Sequence, residues 1–317
     1  MLKSEVGDYV SRCASLAALL EVSAYPKPGN VHRTRDFPDT MYEHFLAAGV
    51  AIGPEMRRLA VRGFEAVEGS REWAHIGVGG QVLKAVTESL SWQTGGNVNL
   101  GVVLLFSPLA VAAGASLFGD ERVDVKTLRE MLRKATRTTT PDDAVAVYEA
   151  IGKAMTPRVL GEAEELDVTD ETSLTRIRNN GLTLIDVFEL CSERDSICHE
   201  WVSDFEVTFE VGSRYLNEAL DRSGDVNASI VDTFLQILSK RPDSLIRRKR
   251  GVEKAVEVSE RAAGVLEEGG MESEKGGELL RRLDEELQSS EGALNPGTTA
   301  DLTAASLFVT LLEGWRP

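Results

Sequence analysis

Cysteine is scarce in this chain. Three residues, Cys13, Cys191 and Cys198, occur among 317, with no CxxC pair. A sparse, odd count argues against a disulfide framework and against a zinc site. Histidine is nearly as rare, four residues without metal-ligand spacing, which leaves His32 and His44 to surface or packing roles. Positive charge is also short: 35 Lys and Arg face 51 Asp and Glu, for a net charge of −16. That balance excludes a general basic surface for duplex nucleic acid. Any polyphosphate ligand then needs local basic groups or a divalent cation. The opening stretch "MLKSEVGDYV" lacks the basic, apolar and small-residue succession of a signal peptide, so a cytoplasmic location is expected. Strict apolar alternation is rare too; "FEVTFEV" (205–211) is too short to outvote its flanks, and no sheet is expected.

One long apolar run stands out. "LGVVLLFSPLAVAAGASLFG" (100–119) has no charge over the length of a membrane span. It contains Ser107 and Pro108, and no Lys or Arg stands close by to anchor it. It reads as a central buried helix, with no membrane partner.

Helical spacing dominates elsewhere. Val10, Cys13, Leu16, Ala17 and Leu20 make one face of a helix over 9–22. The stretch 42–67 reads as a helix broken near Gly53-Pro54, and 78–92, 123–139 and 140–155 continue the pattern, the last with Thr140 as N-cap and Pro141 at its first position. Residues 181–220 suggest two helices, broken near Asp195 or around Gly212. Further helices follow over 228–240, 251–270, 276–290 and 299–314. The polar stretch 156–180 reads as a surface excursion. No repeat or low-complexity linker divides the chain, so one all-α domain over 1–317 is expected: a large helical bundle with active-site loops at helix N-termini.

The loops carry the chemistry-bearing residues. "EVSAYPKPGNVHR" (21–33) cannot continue a helix, because Pro26 and Pro28 remove backbone donors and Gly29 and Asn30 favour a turn. It is either a plain helix-ending turn or a rigid loop that aims Lys27, His32 and Arg33 at an anion. "TGGNVNLG" (94–101) sets glycines and asparagines before the apolar helix, where backbone N–H groups and the helix dipole favour an anion. It lacks the Lys-Ser/Thr of a Walker A loop. "DSLIRRKRG" (243–251) joins an acid to four basic residues, and "LNPGTTADLTAASLF" (294–308) repeats the turn-then-helix plan with Asp301 in the first turn.

Together these segments resemble the triphosphoribosyl-dephospho-CoA synthase family, found with citrate lyase and malonate decarboxylase. The family's E-x-S-x-x-P-K-P-G-x-V motif is met by Glu21, Ser23, Pro26, Lys27, Pro28, Gly29 and Val31. Its Thr-Gly-Gly-Asn loop is met by Thr94, Gly95, Gly96 and Asn97. The Asp-Thr segment leading to basic residues and Gly is met, with Ser for Thr, by Asp243, Ser244, Arg248, Lys249 and Gly251, and the closing motif by Asn295, Pro296, Gly297, Ala300, Asp301 and Leu302. The motifs run in order from residue 21 to 308. Bacterial members usually carry His and Lys where this chain has Asn99 and Leu100; the form here resembles an archaeal and C1-metabolism-associated branch.

The resemblance implies an enzyme that joins ribose C1 of ATP to the 2′-hydroxyl of dephospho-CoA and releases adenine. ATP and dephospho-CoA would then be its small-molecule partners, with Mg²⁺ beside the triphosphate. A related transfer to another CoA-like or pterin-like acceptor, and a non-catalytic nucleotide-binding protein, are the alternatives. Under the main reading Glu21, Asp39 and Asp301 are the catalytic carboxylates, and Asp243 with Asp301 the metal ligands. Lys27, Pro28, Gly29, Asn30, Thr94, Gly95, Gly96, Asn97, Asn99, Arg248, Lys249, Asn295 and Gly297 bind the nucleotide. Trp92 is a candidate purine stacker.

Overall fold

The computed structural model describes residues 1–155 and 165–317. Within them the chain is helical throughout, without a β-strand; a single bridge pairs His32 with Arg35. The first seven helices are α1 (Lys3–Ser23), α2 (Tyr42–Ala51), α3 (Gly53–Glu68), α4 (Val78–Ser91), α5 (Leu100–Ser116), α6 (Val125–Arg137) and α7 (Pro141–Ala154). Then come α8 (Glu171–Asn180), α9 (Leu184–Glu189), α10 (Ser196–Val202) and a π-helical stretch (Val207–Ser213) continuous with α11 (Arg214–Ser223). The remainder is α12 (Val226–Lys240), α13 (Ser244–Arg250), α14 (Val252–Glu267), α15 (Glu274–Gln288) and α16 (Gly297–Leu312).

Local sequence explains the breaks. Pro54 cannot donate back to α2, so the chain restarts as α3 after Ile52. Thr140 caps α7 by accepting from the Asp143 N–H, with Pro141 at the first position. The stretch 181–220 differs from the two-helix expectation. Asp195 caps α10, but a second break falls at Asp204 and Phe205, both at positive φ, while Gly212 stays inside the π-helical stretch. The buried Glu200 holds the restart, accepting from the N–H groups of Val207 and Thr208. The expected excursion over 156–180 lies partly outside the described residues; its end forms α8.

The apolar run is the axis of the bundle. Every residue of α5 except Gly101 is buried, with α1, α3, α4, α6, α10 and α16 around it. No helix among the described residues is long and apolar enough to cross a membrane. Against α3 the backbones touch: a Cβ on Gly63 would lie 2.0 Å from the Val111 carbonyl oxygen, and one on Gly114 1.9 Å from that of Ala60. Pro108 sits inside α5 and has no N–H to give to the carbonyl four residues back. That carbonyl, Leu104, accepts instead from the indole Nε1–H of the fully buried Trp201, at 3.2 Å. Phe106 meets Phe308 of α16 with ring centroids 4.6 Å apart. One continuous apolar core runs from Val6 to Leu312.

The cysteines correct an expectation. Cys191 and Cys198 are joined by a disulfide, with Cα atoms 5.8 Å apart. The turn from α9 into α10 folds back on itself and brings together sulfurs whose seven-residue separation is not a recognised pairing motif. Cys13 is free and buried.

Candidate functional site

Four loops distant in sequence surround one cavity of about 1240 Å³. It opens where α5, α13 and α16 begin. The loops are tied to one another by their own polar groups. Asn30 Nδ2 donates to the Pro296 carbonyl at 3.4 Å, and the Asn30 carbonyl accepts from Gln288 at 2.7 Å. The Gly29 N–H donates to Asp284 at 3.0 Å. Thr40 Oγ1 reaches the Gly95 carbonyl at 3.4 Å. Ser244 accepts from the Ser196 N–H at 3.3 Å and donates to Thr298 at 3.0 Å. A polar residue at each bend therefore fixes the next bend.

Three carboxylates, Glu21, Asp39 and Asp301, line the cavity. Asp301 rises from the first turns of α16 and lies against the start of α5, where Gly101 has no side chain to exclude it: a Cβ there would be 2.0 Å from Asp301 Oδ2. Burial holds the Asp301 carboxyl well above the usual carboxylate range, and Glu21, Asp243 and Asp195 push it further up; the Val102 N–H pulls it back. Glu21 is buried and bonded to the ammonium of Lys27. Burial raises Glu21 and lowers Lys27, and each charge opposes the other's shift.

Two cations, Arg248 and Lys249, line the cavity as well; Lys249 donates to the Gly292 carbonyl at 2.9 Å, and burial, with Arg248 beside it, lowers its ammonium. Arg248 stands 3.8 Å from Asp195. Sequence reasoning gave no role to Arg194, Asp195 and Arg247, which also line the cavity. Arg247 belongs to the basic run 243–251, whereas Arg194 and Asp195 showed only as charges between two short helices.

The remaining sequence-derived residues divide. Asn30, Gly96, Asn97, Asn99, Asn295 and Gly297 line the cavity. Asn97, two residues before the N-cap Asn99, accepts from the Leu100 N–H at 3.0 Å. Asn99 accepts from Ser89 at 2.7 Å, while its buried Nδ2 has no partner; Asn295 Oδ1 is likewise unpaired. Lys27, Pro28, Gly29, Thr94, Gly95 and Asp243 lie outside the lining. Pro28 and Gly29 are buried behind it. Exposed Thr94 lies 3.4 Å from His44, and the Gly95 N–H is taken by Gln93.

None of the three basic residues of 21–33 is in the cavity lining. Lys27 is spent on Glu21, His32 is buried 3.5 Å from Asp284, and Arg33 stacks over Tyr25 at 4.1 Å. Asp243 caps α13 with one oxygen, accepting from Leu245 and Ile246. Its other oxygen accepts the N–H and hydroxyl of Thr299, each at 2.8 Å. Trp92 is exposed, away from the cavity.

The sequence matches the family described as ATP:dephospho-CoA triphosphoribosyl transferase over residues 7–317. A 2-(5''-triphosphoribosyl)-3'-dephosphocoenzyme-A synthase from Klebsiella pneumoniae is 22% identical over 297 residues, 93% of this chain and 87% of that protein. A "Probable 2-(5''-triphosphoribosyl)-3'-dephosphocoenzyme-A synthase" from Stutzerimonas stutzeri (strain A1501) is 37% identical over 90 residues, 28% of this chain and 30% of that one. A crystal structure described as a "putative triphosphoribosyl-dephospho-coA synthase from Archaeoglobus fulgidus" superposes with a TM-score of 0.62 and 27% identity. It covers 86% of this chain and 100% of that one.

Proposed function

The chain belongs to the ATP:dephospho-CoA triphosphoribosyl transferase family, and we propose that it transfers the triphosphoribosyl group of ATP to the 2′-hydroxyl of 3′-dephospho-CoA and releases adenine. The observation that carries this reading is the cavity itself, whose lining brings the carboxylates Glu21, Asp39 and Asp301 together with the cations Arg248 and Lys249. Its volume, about 1240 Å³, exceeds the roughly 300–1,000 Å³ usual for one small ligand, which suits two nucleotides bound side by side. The reaction resembles glycoside chemistry, with positive charge developing at ribose C1 as the bond to adenine breaks.

In this reading Glu21, raised by burial with Lys27 opposing that shift, faces the developing cation. Asp39, an exposed carboxylate of the cavity wall with no partner among the described residues, takes the proton of the attacking hydroxyl. Adenine gains one proton as it departs, so protons balance. Arg248 and Lys249 hold phosphate. Asn99 Nδ2 and Asn295 Oδ1, one donor and one acceptor left unpaired by the protein, meet polar groups of the ribose or base.

Magnesium fits one of the two expected ligands. The oxygens of Asp243 already accept four protein hydrogen bonds, which fills their lone pairs. Asp301, crowded by other carboxyls, gains from a cation. Among the described residues no three His, Cys, Asp or Glu side chains converge on a ready-made metal cage, so the ion's other ligands would be substrate phosphates and water. When bound, it would neutralise charge on the triphosphate. We place the reaction in the cytoplasm, where ATP is supplied.

Purified protein with Mg-ATP and dephospho-CoA is expected to release adenine only when both substrates are present. AMP, ADP or pyrophosphate in place of adenine overturns the reading. Adenine release that demands some other acceptor favours the related transfer suggested by Asn99 and Leu100, and ATP binding without turnover favours a non-catalytic protein.

A further inference from the structure

A second, smaller cavity of about 260 Å³ adjoins the first between α10, α13 and α14. Its wall gathers four cations, Arg194, Lys240, Arg241 and Arg247, against one acid, Glu193. That is unusual in a chain of net charge −16. Arg194, Arg247 and Ser244 line both cavities, so the two are neighbours. Arg194 and Lys240 are exposed and have no ion-pair partner among the described residues. Arg241 is steadied by Ser196 at 3.1 Å and lies in the field of Glu200, Glu206 and Asp195, and Arg247 donates to the Glu193 carbonyl at 2.9 Å. Fixed arginines beside free cations suit a bound polyphosphate.

The rest of the lining differs. Val252 and Val256, one turn apart on α14, line the same cavity and are exposed, at 54% and 37%. A polyanion continuing into an apolar segment matches both kinds of lining residue. The triphosphate of ATP ends in its most highly charged group and has no such continuation. Dephospho-CoA has one, because its diphosphate leads directly into the gem-dimethyl end of the pantetheine arm.

We propose that the side cavity holds the diphosphate of dephospho-CoA on Arg194, Lys240, Arg241 and Arg247, with the pantetheine arm leaving over Val252 and Val256. This rests on the proposed transfer reaction. It adds the point that the two polyphosphates are held apart: the triphosphate in the main cavity on Arg248 and Lys249, the diphosphate in the side cavity, with Arg194 and Arg247 between them.

Lys240→Glu and Val256→Asp test it, because both positions line only the side cavity. Each variant is expected to raise KM for dephospho-CoA about tenfold or more and to change KM for ATP less than twofold. A rise in KM for ATP alone, or no change in either, overturns the proposal. If the wild-type protein releases no adenine, calorimetric titration with inorganic pyrophosphate and with dephospho-CoA separates the two ideas. Binding by wild type that Lys240→Glu abolishes supports the side cavity while the reaction fails. Equal binding by both proteins, or by neither, overturns the cavity assignment.

Discussion

Gly101 and Asp301 occupy one space. The carboxylate of Asp301, on α16, fills the volume that a side chain at Gly101, on α5, would need. A methyl at position 101 therefore displaces the carboxylate from the floor of the cavity. Gly101→Ala is expected to lower adenine release at least tenfold while the helical circular-dichroism signal persists. Wild-type activity in that variant would show that the position of Asp301 is irrelevant.

Asp301 also predicts a pH dependence. Its carboxyl is raised in the folded protein by burial and by neighbouring carboxyls. The folded state then holds the proton more tightly than the unfolded state. The associated stability is complete below the unfolded pKa and is lost as pH rises through the higher folded one. Asp301→Asn removes this loss. The melting temperatures of wild type and variant should be similar at pH 4, with the variant more stable at pH 8. Magnesium with ATP should raise the pH 8 melting temperature of wild type more than that of the variant. Parallel melting curves across pH would overturn the assignment.

Lys27 and Glu21 form a fully buried pair. Removing one partner of such a pair leaves an uncompensated buried group, at a cost of about 3–5 kcal/mol. Lys27→Met is expected to lose stability on that scale in urea denaturation, and adding Glu21→Gln should restore most of it. A double variant no more stable than Lys27→Met alone would deny the pairing.

Much of the fold was legible because helices announce themselves through 3–4 spacing and through Gly53-Pro54 and Thr140-Pro141. The break at Asp204 and Phe205 was not: neither residue is a helix stop, and the positive φ values there are imposed by packing and by Glu200. The disulfide was hidden for a related reason, since only the turn between α9 and α10 brings the two sulfurs together. At the site, the four loops could be read through ordered motifs. What those motifs do not encode is direction. A lysine in a Pro-Lys-Pro-Gly loop looks free until the fold places Glu21 against it, and Arg194 looks like surface until the cavity opens beside it. Asp243 reads as a metal ligand in sequence, yet α13 and α16 take all its lone pairs.

The bond from Trp201 to Leu104 spans 97 residues, and it completes a helix that Pro108 keeps from completing itself. Until that indole docks, the most apolar segment of the chain has a bare acceptor at its centre. The centre of the early helices is therefore finished by a residue from the second half of the chain, and a fragment ending before Trp201 should be less stable to urea than the same helices in the whole protein.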